Sequence, residues 1–147
     1  MTHSKNLQTV LDILKNEVDG DVKAALQKMT DDYTMTWMYR SGDTLFPSTG
    51  KSIEDEMNEA YVIKGRTYDI RNIAESDNLV ILELIESYPD PKTGKVYRTP
   101  EVIVLEMKDG KIQKGRHYCD PKVSHDFLAQ EQIEDGLKGT DTKEFID

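Results

Sequence analysis

The sequence predicts an α+β fold in which helices lie on one face of a curved antiparallel sheet. Two observations lead to this prediction. Apolar residues in the first part of the chain recur mostly at three- and four-residue steps, which is typical of amphipathic helices. After Lys64 and Gly65 the apolar residues alternate with polar ones, which is typical of strands. The chain has 147 residues, the size of one domain with a core of its own.

Three helices are predicted before Gly65. The first ends at Gly20, and its apolar face consists of Leu7, Val10, Leu11, Leu14 and Val18. The second spans about residues 22–29. The third follows a loop over residues 41–50 and begins at the capping residue Ser52. Its apolar stripe consists of Ile53, Met57, Ala60 and Tyr61.

Five strands are predicted. The first, over residues 33–39, lies between the second and third helices and alternates aromatic and Met residues with Thr. The others cover about residues 66–74, 78–88, 96–107 and 111–119. Asp109-Gly110 predicts a tight hairpin between the last two strands. The run Leu79–Leu82 is apolar on both faces, so helices are expected to cover one face and a partner subunit the other.

Composition excludes several classes of function. Lys and Arg number 19 against 28 Asp and Glu, so the net charge of −9 argues against binding nucleic acid or an anionic membrane surface. The single cysteine excludes an internal disulfide framework. No apolar run is long enough to span a bilayer, and the N-terminal residues lack the pattern of a secretory signal, so a cytoplasmic location is expected.

The domain prediction is one domain over residues 1–128 and an acidic tail over residues 129–147. The tail has weak apolar periodicity, which leaves a loose helix and an extended arm both open. His3, His117 and His125 are too scattered in the sequence to suggest a metal site, and no cofactor is expected.

Four short stretches resemble the nuclear-transport-factor-2-like superfamily, and in particular its SnoaL-like branch. They are Gly20-Asp21 followed by a helix and Asp31-Asp32, Thr49-Gly50-Lys51, Asp109-Gly110-Lys111-Ile112, and His117-Tyr118-Cys119-Asp120-Pro121. The resemblance covers about residues 5–128. It implies the ketosteroid isomerase-like fold, a cystatin-like α+β barrel: a cone-shaped curved antiparallel sheet with three helices on its concave face, a deep pocket, and a homodimer through the outer sheet face.

The known catalytic residues of this superfamily do not carry over to this sequence. Ketosteroid isomerases of this fold use two Asp and one Tyr, and their places fall near Trp37, Ile103 and Ile13. Limonene-epoxide hydrolases resemble the last strand better, but their catalytic Asp aligns with His117, and their Arg-x-Asp aligns near Leu84 and Glu86. Neither mechanism is therefore expected.

His117 is the candidate acid/base. The resemblance turns its face of the last strand inward, and a histidine in an apolar pocket can transfer protons near neutral pH. The alternative is a hydrogen-bonded histidine with no catalytic role. Glu86 could orient His117 or could lie at the sheet rim in water. Glu101 cannot be placed, because a two-residue turn would pair His117 with Val102 and a three-residue turn would pair it with Glu101.

Four further residues are candidates for binding a ligand: Trp37, Tyr39, Tyr61 and Cys119. The aromatic ones could line a pocket or simply pack in the core. Cys119 shares a face with His117 but lies roughly 7 Å along the strand from it, which favours an inert core residue over a nucleophile.

The first hypothesis for function is a dimer that binds a small, largely apolar molecule and isomerises, dehydrates or cyclises it without a cofactor. His117 would transfer the proton and Glu86 would support it. The alternative is a ligand-binding or association domain without catalysis.

Overall fold

A computed structural model describes residues 3–41, 44–49, 51–120, 122–123 and 126–147. The helices are α1 Lys5–Asp19, α2 Val22–Leu26, α3 Lys51–Ala60 and α4 Gln130–Gly136. The strands are β1 Met29–Ser41, β2 Thr44–Thr49, β3 Thr67–Ser76, β4 Leu79–Pro89, β5 Val96–Lys108, β6 Lys111–Tyr118 and β7 Glu144–Ile146. None of the described helices is long and apolar enough to cross a membrane.

The strands form one curved, unclosed sheet in the order β2-β1-β6-β5-β4-β3-β7, which confirms the predicted α+β class. All neighbouring strands are antiparallel except β1 and β6, which pair in parallel. The sheet is therefore mixed rather than purely antiparallel. The long connection between β1 and β6 makes this parallel pair possible, because parallel strands cannot be joined by a tight turn.

Helix α1 has clear start and stop signals. The Ser4 side chain accepts a hydrogen bond from the Leu7 backbone N–H at 3.0 Å, and Gly20 ends the helix in the left-handed conformation with φ of 79°. A Cβ at Gly20 would lie 2.9 Å from the Tyr61 carbonyl oxygen. The end of α1 can therefore approach the end of α3 only because residue 20 is glycine.

The β5–β6 hairpin decides which residues face the interior. Asp109 and Gly110 form the predicted two-residue turn, with φ of 52° and 77°. A β-bulge follows at Gln113, which shifts the register by one residue. His117 therefore lies opposite Ile103, not opposite Val102 or Glu101 as the two turn lengths would have placed it. This register puts His117 and Glu101 on the same inner face.

Two predicted elements near β1 are wrong. The segment over residues 41–50 was predicted as a loop, but Thr44–Thr49 forms β2 beside β1; residues 42, 43 and 50 lie outside the described part of the chain. The second helix ends at Leu26 rather than near residue 29, and Met29 begins β1. Met29 is buried opposite Ile112, so sheet pairing outweighs the helical spacing of this segment.

The tail over residues 129–147 contains both a helix and a strand. Strand β7 adds to the sheet beside β3. The Arg71 guanidinium contacts the carboxylates of Asp69 and Glu134 and donates to the Thr140 carbonyl oxygen at 3.0 Å. Arg71 is the extra residue of a β-bulge in β3: Ile70 before it pairs with Leu84 of β4, and Asn72 after it pairs with Glu83. These contacts bind the tail to the sheet rather than leaving it as a loose arm.

Candidate active site

A cavity of about 130 Å³ lies between α1, α3 and the concave face of the sheet. Its wall is mostly aliphatic and Met side chains from α1, α3, β1, β4, β5 and β6. The lining residues with a polar or aromatic function are Glu17, Tyr33, Trp37, Tyr61, Tyr68 and His117. An apolar cavity of roughly 150 Å³ holds one benzene molecule, so this cavity is close to the size that a single small ring needs.

His117 lies in the cavity wall between an aromatic ring and a carboxyl group. Its ring centroid is 6.1 Å from that of Trp37, and its Nδ1 is 3.8 Å from Oε2 of Glu101. Burial lowers the pKa of His117 below its ordinary value, and the negative charge of Glu86 opposes that effect only in part. The imidazole is therefore neutral near pH 7 and can either accept or donate a proton.

Glu101 is the carboxyl group in contact with His117. Its side chain is 5% exposed, and no described residue hydrogen-bonds its Oε1. Burial, together with the nearby carboxylates of Glu86 and Glu17, raises the pKa of Glu101 well above its usual range. The sequence could not assign this residue to a face, because a single bulge decides its register.

Glu86 has a different partner from the one that the sequence suggested. Its Oε1 lies 3.1 Å from Nη1 of Arg66, and its side chain is mostly buried rather than exposed to solvent at the edge of the sheet. The carboxyl group in contact with His117 is that of Glu101. Glu86 acts on His117 through its charge, which raises the pKa of the imidazole.

Glu17 was not predicted as a site residue. It lies on the cavity side of α1, where its Oε2 accepts a hydrogen bond from the Tyr68 hydroxyl. Its Oε1 lies 3.5 Å from Nε of Arg66. Burial and the charge of Glu86 raise the pKa of Glu17 to about 7, although Arg66 and Tyr68 act in the opposite direction. The available signal was its position three and four residues after Leu14 and Ile13, on the buried face of the helix.

Arg66 connects the carboxylates and is itself only 4% exposed. Its Nη2 donates to the Ala60 carbonyl oxygen at 3.3 Å, and its guanidinium lies 4.4 Å from the centroid of the Tyr88 ring. Tyr97 packs on Tyr88, and Phe127 packs on Tyr97. These stacked aromatic rings cover the charged cluster of Arg66, Glu17 and Glu86 at one end of the sheet. Arg66 directly precedes β3, and no pattern in the sequence marks it as buried.

The predicted ligand-binding residues divide into three groups. Trp37 and Tyr61 line the cavity. Cys119 follows the end of β6 and is not among the lining residues, and burial together with nearby carboxylates raises the pKa of its thiol to about 12. It is therefore a protonated thiol rather than a nucleophile. The side chain of Tyr39 lies outside the described part of the structure.

Metal-ligating residues do not cluster in the part of the chain that the structure describes: no group of three His, Cys, Asp or Glu there could hold a metal ion. His3 instead pairs with Glu144, at 2.8 Å. His125 lies outside the described residues.

Solved structures resemble the whole of this architecture, although no family model and no curated protein matches the chain. A nuclear-transport-factor-2-like protein from Burkholderia xenovorans LB400 is 15% identical, with a TM-score of 0.69 over 88% of this chain and 99% of that one. The chain has the nuclear-transport-factor-2-like fold. This confirms the fold that the sequence resemblance implied.

Enzymes and ligand complexes with the nuclear-transport-factor-2-like fold are also similar to this chain. SalBIII, an epoxide hydrolase/cyclase-like enzyme with a role in pyran ring formation, is 17% identical, with a TM-score of 0.68 over 80% of this chain and 92% of its own. TerC, co-crystallised with polyporic acid, is 19% identical, with a TM-score of 0.67 over 84% of this chain and 98% of its own. At these identities the likeness establishes the fold alone.

The superfamily positions named in the sequence analysis do line the cavity of this chain. Ile13, Trp37 and Ile103, near which the resemblance would place the ketosteroid isomerase groups, all contribute apolar or aromatic side chains to its wall. Acidic side chains lie near two of these three positions. Glu17 is one helical turn after Ile13, and Glu101 is two residues before Ile103 along the strand, on the same face of β5.

Proposed function

We propose that this protein binds a small, largely apolar molecule in the cavity and moves a proton on it with His117 as the acid/base. One observation carries the proposal. A neutral imidazole forms part of an apolar cavity wall, and the buried Glu101 carboxyl lies 3.8 Å from its Nδ1. Glu101 is the positioning residue, because its buried carboxyl group lies beside Nδ1 and limits how the imidazole ring can turn.

The chemistry that this pair supports is a proton transfer within one substrate. The imidazole accepts a proton from a carbon next to an electron-withdrawing group, and the same proton returns to another atom of the substrate. Nothing is oxidised or reduced in this step, so isomerisation, dehydration or cyclisation can proceed without a cofactor. SalBIII, an epoxide hydrolase/cyclase-like enzyme with a role in pyran ring formation, and TerC, co-crystallised with polyporic acid, are similar in fold to this chain and support a small-molecule ligand for it.

Trp37 provides the binding test, because it is the only tryptophan of the chain and lines the cavity. Benzyl alcohol, a neutral ring compound of suitable size, is titrated into the protein while tryptophan emission is recorded. We expect a saturable change in emission, since the ligand replaces solvent or empty space beside the indole ring. No change in emission, together with no heat of binding in calorimetry, would contradict the proposal.

Solvent-exchange kinetics test the catalytic step. Cyclohexanone is incubated with the protein in D₂O, and loss of the hydrogens next to its carbonyl group is followed by NMR. A positioned acid/base accelerates proton transfer by roughly 10²–10⁴-fold, so His117→Gln should lose most of the acceleration. His3→Gln is the matched control, because His3 pairs with Glu144 and not with the cavity.

A second candidate function is ligand binding without catalysis. It is favoured by the apolar side chains of Ile13, Trp37 and Ile103, where ketosteroid isomerases carry acidic and phenolic groups. Benzyl alcohol binding without any exchange of cyclohexanone hydrogens by the wild-type protein would support this candidate over the first.

A further inference from the structure

Among the residues that the structure describes, the carboxyl groups around the cavity outnumber their cationic partners. Glu17, Glu86 and Glu101 have side chains that are 17%, 16% and 5% exposed, and the guanidinium of Arg66 is the cation within ion-pair distance of Glu17 and Glu86. One positive charge balances one carboxylate. Because isolated buried charges are costly, the remaining carboxyl groups must hold protons or meet another cation.

Glu86 makes the shorter contact with that single cation. Its Oε1 lies 3.1 Å from Arg66 Nη1, which is hydrogen-bonding distance, whereas the 3.5 Å between Glu17 Oε1 and Arg66 Nε does not form a hydrogen bond. Within the described part of the chain, the Glu17 carboxyl group is thus left with one hydrogen bond, from the Tyr68 hydroxyl to its Oε2. Among these carboxyl groups Glu17 is the one that lines the cavity, so its Oε1 is the atom that a ligand can reach.

The rest of the wall favours a cation over an anion. None of the described lining residues is Lys or Arg, so the wall offers no charged partner for a carboxylate or a phosphate. The rings of Tyr33, Trp37, Tyr61 and Tyr68 also line the cavity. Aromatic faces attract ammonium groups, and more strongly where water is excluded. In addition, the buried Glu101 has an oxygen atom without a hydrogen-bond partner among the described residues, on the same inner face of the sheet.

We propose that the ligand of this cavity carries a protonated nitrogen on a small apolar or aromatic body, and that the Glu17 carboxylate binds this nitrogen. The inference rests on the proposed function, since it specifies the substrate class for the same cavity. A body of about one six-membered ring fits the 130 Å³ volume.

The ammonium group and a proton compete for the Glu17 carboxylate, so the ligand binds the ionised form of Glu17. The titratable and charged groups that face Glu17 are Tyr33, Tyr61, Arg66, Tyr68, Glu86 and Glu101. Burial raises the pKa values of the three tyrosines, which keeps them protonated, and raises that of Glu101 well above its usual range, while Arg66 stays charged. Burial lowers the pKa of His117 below its ordinary value. Glu17, with a pKa of about 7, changes charge between pH 6.5 and 8.

Three ligands of the same shape test the inference by calorimetry: benzylamine, benzyl alcohol and benzoate. We expect benzylamine to bind most tightly at pH 8. Its affinity should rise about fourfold from pH 6.5 to pH 8, as the ionised fraction of Glu17 rises, while that of benzyl alcohol should not rise. At pH 6.5, where most Glu17 side chains still hold a proton, benzylamine binding should also release most of one proton, seen as a dependence of the heat on the ionisation enthalpy of the buffer.

Glu17→Gln should remove both the preference for benzylamine and its pH dependence, while benzyl alcohol still binds. Glu59→Gln is the matched control, because Glu59 is exposed on α3 and should change neither. If Glu17→Gln does not fold, the proton release of the wild-type protein decides the question.

Three results would overturn the inference. Binding of benzyl alcohol or benzoate as tight as that of benzylamine at pH 8, or binding of benzylamine at pH 6.5 without proton release, would overturn the cationic ligand alone and leave the proposed function in place. Absence of binding by all three ligands would overturn both.

Discussion

Arg66 is the residue on which the charge balance beside the cavity depends. It contacts Glu86 and Glu17, and the Tyr88 ring covers its guanidinium. Removing one partner of a buried ion pair costs more than the pair contributes, because the other charge stays buried without compensation. A surface arginine does not have this consequence, since water solvates the partner that remains.

Replacement of Arg66 tests this difference. We expect Arg66→Met to lower the free energy of unfolding by about 3–5 kcal/mol, since Glu86 and Glu17 would both lose the buried cation that contacts them. Arg116→Met is the matched control: Arg116 pairs with Glu106 on the outer face, and both side chains are at least 30% exposed. That change should cost less than about 1 kcal/mol. Urea unfolding at pH 7 measures both, and equal losses would contradict the account.

Sequence reasoning recovered part of the site at this scale. His117, Trp37 and Tyr61 do line the cavity, because alternation along a strand and spacing along a helix determine the face of each residue, and their roles there stay predictions. Sequence reasoning did not identify Glu17 or Arg66, because a charged residue is assigned to the surface until its partners are known. Those partners come from segments far apart in the chain, and only the fold brings them together.

Two backbone features, the glycine at position 20 and the β-bulge at Gln113, determine how neighbouring elements pack and which residues face the cavity. Gly20 ends α1 with a positive φ, and its Cα lies close to the Tyr61 carbonyl at the end of α3. The bulge at Gln113 turns the rest of β6 so that His117 faces the cavity. The glycine was evident in the sequence as a helix stop, whereas the bulge had no sequence signal that could be distinguished from a regular hairpin.

The close approach at Gly20 predicts a specific cost for a methyl group. Gly20→Ala should be destabilising by more than the roughly 1–2 kcal/mol that an L-residue loses in the left-handed conformation, because its Cβ would also clash with a backbone oxygen. Gly139→Ala is the control: Gly139 has φ of 81° and open space around it, so only the conformational cost applies. Thermal unfolding of both variants measures the difference. A Gly139→Ala variant as unstable as Gly20→Ala would contradict the contact.

On the outer face of the sheet, one part is buried by other elements of the chain and another part, called the open part, is exposed. Ile85 of β4 points outward but is 1% exposed, in the region that α4 and β7 border. Further along the same face, Ile81 lies opposite Val104 and Val102 opposite Tyr118, and these side chains remain partly exposed. We propose, as the sequence analysis expected, that a second copy of the chain covers this open part.

A charge on this open part of the outer face tests the dimer. We expect the wild-type protein to have the mass of a dimer by light scattering, and Val104→Arg to have that of a monomer, because burial of an unpaired guanidinium at an interface is costly. Glu59→Arg, on an exposed position of α3, should leave the mass unchanged. A wild-type protein that is monomeric at micromolar concentration would contradict the proposal.

The sequence by itself determined the α+β class, the end of the first helix at Gly20, the hairpin turn at Asp109, and the alternation of inward and outward side chains along most strands. These are local properties, set by backbone conformation and by the spacing of apolar residues within one element. Only the tertiary structure decided the parallel pairing of β1 with β6, the register of β6, and the cluster of Glu17, Arg66, Glu86 and Glu101. Whether a buried charge is stable depends on which distant groups surround it, and no local pattern contains that information.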